Sequence, residues 1–408
     1  MTINYQPSHT ILGANDLAVY VVYDGTHVSD PKFRYICQVF DGLTELAKLK
    51  QLPNSADAGV FDIHRIVSDY VQQDEGIHES AMFTGFTKAY KNITIKFGYE
   101  SAATANDEPV EVLNVVSTTD IFVNAQFEQV YSPYDAGIND TFIPDSTTSK
   151  FASILPAEIY AQVKDYGTVT LVNAGYTGNR YVYIQYFSGN TALNSHHFTV
   201  PATSTAANKL QYIGIYPANL QDQTINTSMR PSANAGWTHY TVVLKSGTLT
   251  GSPKMSQTYT VFLDEECKYP YTRLAFWNSL GGWDYINFRN ATKPKVKVSK
   301  QDYDTIGGNW FQAGPGVPYA RAVSDGGTRT VNTEMESSYA ISSGFYEQSY
   351  NAVFKDLLLS QRILRYELGN WIPTVMNTKD LDIQTQLNDK LIQYDLEIRD
   401  GKRTFQLR

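Results

Sequence analysis

The stretch Arg180-Tyr-Val-Tyr-Ile-Gln-Tyr-Phe187 is β-branched or aromatic at nearly every position, the composition of a strand packed on a pleated surface. Reading outward from it, Tyr259-Thr-Val-Phe-Leu263 has the same character, and Lys293-Pro-Lys-Val-Lys-Val-Ser-Lys300 alternates lysine with apolar residues. Leu391-Ile-Gln-Tyr-Asp-Leu-Glu-Ile398 places Ile392, Tyr394, Leu396 and Ile398 on one face and Gln393, Asp395 and Glu397 on the other. That period of two belongs to a sheet with one wet face. Turn signals recur between these runs at Asp24-Gly25, Asp41-Gly42, Ser188-Gly189-Asn190 and Asp400-Gly401. Helical spacing is rare. Ile63, Ile66, Val67, Tyr70 and Val71 predict a helix over Asp62–Gln73, with the Asp62 carboxylate as its N-cap. Val353, Phe354, Leu357 and Leu358 predict a second over Ala352–Arg362. The expected fold is therefore mainly β: several β-sandwich-like modules with two or three short helices.

The 408 residues include 33 basic and 41 acidic side chains, a net charge of −8, and 13 % aromatics led by 29 tyrosines. So much apolar surface excludes intrinsic disorder, and the acidic balance argues against general nucleic-acid binding. No run approaches the ~18 apolar residues of a spanning helix, so no membrane insertion is expected. The N-terminus lacks the basic and apolar regions of a signal peptide, which implies synthesis in a cytoplasm. Cys37 and Cys267 form no disulfide framework or zinc spacing. Each lies in an apolar run and reads as a buried free thiol.

Composition shifts occur at Ser101–Asp107 and Thr199–Asn208, and three modules with boundaries near 100 and 250 are expected: 1–100 with one short helix, 101–250 as a sandwich-like middle, and 251–408. Within the last, residues 307–344 hold seven glycines, including Gly307-Gly308 and Gly326-Gly327. Irregular segments longer than about 15 residues are commonly functional. This one, with Trp310, reads as an arm that orders on a neighbouring subunit.

Catalytic patterns do not emerge. His9, His27, His64, His78, His196, His197 and His239 show no metal-protease spacing, and no serine-nucleophile motif is present. His64 reads as a surface residue. The rings of His196 and His197 point to opposite faces of an extended strand, which is wrong for chelation. Asp264-Glu265-Glu266 reads as a solvated strand end, because glycosidases place two carboxylates across a cleft. No phosphate-binding glycine loop is present. The expectation is no enzyme, no cofactor and no metal.

More distinctive are Phe33-Arg-Tyr-Ile-Cys-Gln-Val-Phe40, Leu46-Ala-Lys-Leu-Lys-Gln-Leu-Pro-Asn54, Gly59-Val-Phe-Asp-Ile-His-Arg-Ile-Val-Ser-Asp-Tyr-Val71 and Phe262-Leu-Asp-Glu-Glu-Cys267. With them go Thr272-Arg-Leu-Ala-Phe-Trp-Asn-Ser-Leu-Gly-Gly-Trp-Asp-Tyr-Ile-Asn-Phe288, Leu357-Leu-Leu-Ser-Gln-Arg-Ile363, Trp371-Ile-Pro-Thr-Val375 and Asn388-Asp-Lys-Leu-Ile-Gln-Tyr394. These stretches resemble a family of virion structural proteins, tail components, of tailed bacteriophages infecting Bacteroidota-type bacteria. The likeness covers both ends and the centre of the chain and is loose over about 100–250.

The resemblance implies a ring-forming tail, tail-tip or collar protein, assembled in the host cytoplasm and carried in the virion. Its partners would be further copies of itself and other tail or connector proteins, with transient DNA passage. The alternative is a receptor- or carbohydrate-binding adhesin using the aromatic-rich middle, and a glycan-degrading enzyme is the third reading. In the residues themselves, Asn278-Ser-Leu-Gly-Gly282 supplies a tight turn between strands ending at Trp277 and starting at Trp283. Trp277, Gly281, Gly282 and Trp283 are thus expected to form a structural hairpin. Lys293, Lys295 and Lys297 read as protection of a sheet edge.

Overall fold

A computed structural model describes residues 1–9, 11–74, 83–85, 88–127, 140–143, 145–172, 178–200, 210–223, 227–248, 250–265, 269–305, 310–312, 314–316, 320–321, 327–385, 390–401 and 404–406. The fold is mainly β, with three short α-helices among the described residues. Contacts group the chain into two units. The first holds Met1–Glu265, Phe276–Tyr285 and Ala352–Ser360; the second holds Glu266–Ala275, Ile286–Asn351 and Gln361–Arg408.

The first unit contains two sandwich-like layers. In one, a three-stranded sheet (Thr2–Tyr5, Val19–Tyr23, Ala58–Asp62) accompanies a five-stranded sheet. The order of the latter is Ile11–Gly13, Val110–Val123, Tyr90–Ser101, Arg34–Asp41, Thr44–Gln51. Alternate residues from the two sheets share one core: Tyr20 and Val22 meet Tyr35, Cys37, Val39, Ile93, Ile95 and Phe97. Burying each such side chain contributes about 1.5–3 kcal/mol. Tyrosines serve here because their hydroxyls find partners: Tyr20 donates to Asp120 Oδ2 at 2.7 Å and Tyr35 to the Asp57 carbonyl at 2.7 Å. Cys37 is a buried free thiol, its pKa pushed up to about 12 by burial; Cys267 lies outside the described residues.

The expected Asp62–Gln73 helix is shorter, His64–Tyr70, and Ile63 rather than Asp62 holds its N-cap position. Asp62 ends the strand Ala58–Asp62, and its Oδ1 accepts from the amides of Ala18 and His64, each at 3.2 Å. Strand pairing therefore claims the residue that periodicity assigned to the helix. The second helix runs Asn351–Leu359, with Val353, Phe354 and Leu357 buried.

In the other layer of the first unit, the five-stranded order is Glu158–Ala161, Tyr259–Leu263, His239–Lys245, Arg180–Ser188, Thr191–Val200. A three-stranded sheet joins Thr168–Val172, Leu210–Gly214 and Phe83–Gly85. The proposed divisions near 100 and 250 fall inside these sheets. Tyr90–Ser101 pairs antiparallel with Val110–Val123, so the small polar stretch 101–107 lies in a hairpin connection. Residue 250 lies in the connection between the paired strands His239–Lys245 and Tyr259–Leu263. Turn chemistry and linker chemistry use the same residues.

The second unit contributes to an eight-stranded sheet ordered Trp283–Phe288, Thr272–Trp277, Ile363–Glu367, Asn370–Met376, Asp395–Asp400, Gly327–Ser342, Lys293–Thr305. Thr404–Gln406 also pairs with Gly327–Ser342. Ile392, Tyr394, Leu396 and Ile398 are all buried, as their alternation implied. That run is nevertheless split into Leu391–Ile392 and Asp395–Asp400, which join different sheets.

A further correction concerns the glycine-rich segment 307–344. Its second half is the sixteen-residue strand Gly327–Ser342, paired along the whole of Lys293–Thr305. Thr, Val, Met, Tyr and Ile at alternate positions make it a strand that the flanking glycines disguised. Trp310–Phe311 pairs with Ala320–Arg321. Gly307, Gly308 and Gly326 lie outside the described residues, and Gly327 opens the long strand with φ +84°. The segment is thus not one irregular arm.

Candidate functional site

Three places bear on function. The first is the turn expected from Trp277 to Trp283, within the first unit. Gly281 takes φ +82°, and a Cβ there would approach Val123 Cγ1 to 2.7 Å. A Cβ on Gly282 would lie 2.0 Å from Thr170 Oγ1. Both glycines are therefore required, one by backbone conformation and both by close approach. Trp277 and Trp283 meet edge to face with ring centroids 5.4 Å apart, a favoured aromatic geometry.

Polar groups fix the same turn. Asn278 Oδ1 accepts from the amides of Leu280 (3.0 Å) and Gly282 (2.9 Å), while its Nδ2 donates to the Ala152 carbonyl (3.2 Å) and Asp284 Oδ2 (2.9 Å). The side chain thereby uses its whole hydrogen-bonding capacity. Asp284 also accepts from the Ser153 hydroxyl at 2.6 Å and the Ile154 amide at 2.8 Å. Complete burial outweighs these three donors and pushes its pKa up to about 6. Asp356 accepts from the Ser279 amide at 3.0 Å, Ser360 donates to the Trp277 carbonyl at 2.8 Å, and Trp277 Nε1 donates to the Asn124 carbonyl at 3.0 Å. The hairpin is an internal brace, and its chemistry is used up internally.

The second place is the ribbon that Lys293–Thr305 and Gly327–Ser342 form at one end of the eight-stranded sheet. Lys293–Thr305 is the last strand of its sheet, with no strand on its outer side among the described residues. Val296 is 58 % and Val298 50 % exposed, and Met335, opposite Val298, is 37 % exposed. By alternation these share a face with Tyr339 and Ile341 of Gly327–Ser342, and Ile341 is buried. The apolar row of the core face thus runs out beyond its cover. The other face is polar: Lys297 stands opposite Glu336, Glu336 forms an ion pair with Arg399 at 3.2 Å, and Ser299 stands opposite Glu334. Lys297, Ser299, Glu334 and Glu336 line a shallow depression of about 200 Å³. Lys293, Lys295 and Lys297 are exposed on an outermost strand, where the sequence placed them.

The third place is one that sequence reasoning missed. In the five-stranded sheet of the first unit, Phe187 stands opposite His239, His239 opposite Phe262, and Phe262 beside Tyr160. Ring centroids step 4.9, 5.2 and 5.6 Å along this row, with Phe187 and His239 only 3° from parallel. All four are half-buried on the outer face, alternating with the buried Tyr186, Tyr240 and Val261. The neighbouring row carries Glu158, Thr260, Thr241 and Gln185. Each aromatic was visible in sequence, but only strand register brings positions 160, 187, 239 and 262 together.

Other candidates disperse. His64 Nδ1 contacts Asp62 Oδ2 at 2.7 Å. His196 lies against Tyr186 and His197 against Tyr181. Asp264 is half-buried and Glu265 exposed. Among the described residues, no group of three or more His, Cys, Asp or Glu side chains is placed to hold a metal ion. No helix among them is long and apolar enough to cross a membrane. No protein-family model matches this chain, and no curated protein matches it.

Proposed function

We propose that this chain is a non-enzymatic structural component of a phage virion, a ring-forming tail, tail-tip or collar protein that works by self-assembly. The observation that carries the reading is the ribbon, where the thirteen-residue last strand of a sheet has no strand on its outer side among the described residues and carries an exposed apolar row. Lys293, Pro294 and Lys295 blunt one end of this edge, and along the rest of it pairing with another chain would satisfy the outward backbone groups. The virion context comes from the sequence stretches around residues 33–71, 262–288 and 357–394. Further copies of the chain and other tail or connector proteins are the partners, with DNA passing transiently. Negative-stain microscopy of the purified protein tests this: closed rings are the expected result, and a monomer at every concentration would overturn it.

The aromatic row Tyr160–Phe262–His239–Phe187 favours a second reading, a carbohydrate-binding face of a tail-tip adhesin. Aromatic rings beside a row of Glu, Thr and Gln match the mixed apolar and hydrogen-bonding surface of a sugar. A glycan array separates the two: binding abolished by Phe262→Ala supports the adhesin, and no binding to any glycan removes it.

A further inference from the structure

We infer that Lys293–Thr305 pairs antiparallel with the same strand of a second copy, about a two-fold axis at Gln301. The inference rests on the self-assembly reading for its partner, and adds the contact itself. The strand is the last of its sheet, with no strand on its outer side among the described residues. Pro294 has no N–H to give, and a proline inside a strand belongs on such an edge with its nitrogen facing outward. Alternation then turns the backbone groups of Val296, Val298 and Lys300 outward as well.

Charge along the strand selects the occupant. Lys300 and Asp302 flank Gln301 and, two residues apart, project from the same face. Within the chain neither has an opposite charge across the ribbon: Lys300 stands opposite Thr333 and Asp302 opposite Thr330, whose hydroxyl it accepts at 2.7 Å. Lys297, by contrast, has Glu336 opposite. A two-fold axis at Gln301 sets Lys300 of each copy opposite Asp302 of the other, forming two cross-strand ion pairs. Parallel addition in the same register would set lysine beside lysine and aspartate beside aspartate. Opposite charges directly across a strand pair are favourable and like charges unfavourable. The paired stretch is then 297–305, leaving Lys293, Pro294 and Lys295 outside it to stop the pairing from running on. This contact uses the same patch on both copies, so it does not close a ring by itself and instead joins two copies back to back.

Sedimentation velocity on the full chain over a concentration series tests the pairing, with circular dichroism confirming that each variant is folded. K300D leaves two acidic positions facing two acidic positions, and D302K leaves two basic facing two basic. Each should weaken self-association about tenfold or more, from two lost attractions and two new repulsions. An equimolar mixture of K300D and D302K should recover association, as should the K300D/D302K double variant, because both arrangements restore opposite charges. If the wild type assembles and K300D and D302K assemble equally well, the strand pairing is wrong and the self-assembly reading stands. If the wild type is monomeric at all concentrations, both fall.

Discussion

The turn at 277–283 and the ribbon at 293–342 come from neighbouring stretches of chain with similar vocabularies, yet they spend their polar groups in opposite ways. In the turn, Asn278 and Asp284 bond inward and the side chains have almost no contact with water. In the ribbon, lysines, threonines and aspartates face outward, and one backbone edge has no strand beside it among the described residues. A buried polar group must find its partner inside the same fold. An exposed edge can find one in another molecule. The first arrangement makes a residue indispensable for stability, and the second makes it available for assembly.

Glycine substitution gives the largest contrast. Replacing Gly281 and Gly282 together by valine adds overpacking against Val123 and Thr170 to the cost of a left-handed φ, on the order of 4 kcal/mol or more. Loss of soluble expression is the expected outcome. Gly327 also has a positive φ, but nothing lies within 4 Å of its Cβ direction. Gly327→Ala should therefore cost only about 1–2 kcal/mol in denaturant melts. A folded, soluble Gly281/Gly282 double variant would break the comparison.

Side-chain truncation comes next. Trp283→Ala empties a fully buried site in the brace and should cost about 3–5 kcal/mol. Val296→Ala on the ribbon should change the stability of the isolated chain by less than about 0.5 kcal/mol. Equal shifts in urea midpoint would show that the ribbon is covered.

A smaller effect follows pH. The Asp284 carboxyl is raised from 3.8 to about 6 by burial. The folded state therefore holds this proton more tightly, and the stability it contributes is fully present below 3.8 and lost as pH rises to about 6. Asp284→Asn should remove that loss. Its amide oxygen can accept from Ile154 and Asn278 while its NH₂ turns to Ser153, whose hydroxyl already accepts from the Leu155 amide at 3.2 Å. Urea midpoints that fall equally from pH 4 to 6 in both proteins would contradict the assignment.

His239 should show the smallest effect. Burial in the aromatic row holds its pKa below 6.5, so stability from the neutral ring is present above 6.5 and lost on acidification. His239→Phe should reduce acid sensitivity below pH 6.5, and an unchanged acid profile would remove the imidazole from that role.

Much of this architecture is readable along the chain. The strand at 180–187, the buried alternation of Ile392, Tyr394, Leu396 and Ile398, the two short helices and the tight turn at 278–282 all follow from local pattern. Misreadings occur where one local signal has two meanings. Asp62 reads as the N-cap residue but ends a strand two residues before the helix, from where its carboxylate still accepts from the His64 amide. Ser101–Asp107 resembles a linker but lies in a hairpin connection. Glycines around 307–344 resemble an arm, although half of that segment is a sixteen-residue strand.

The sequence by itself determined the class of fold, the strands with one wet face and the need for glycine in one turn. These depend on periods of two and on backbone conformation, both local properties. Only the tertiary structure decided that Asn278 and Asp284 close a buried network, that Phe187, His239, Phe262 and Tyr160 form one row, and that Lys293–Thr305 is the last strand of its sheet among the described residues. Each of those depends on which distant strands lie side by side and in what register, and a shift of one residue would turn every side chain to the other face.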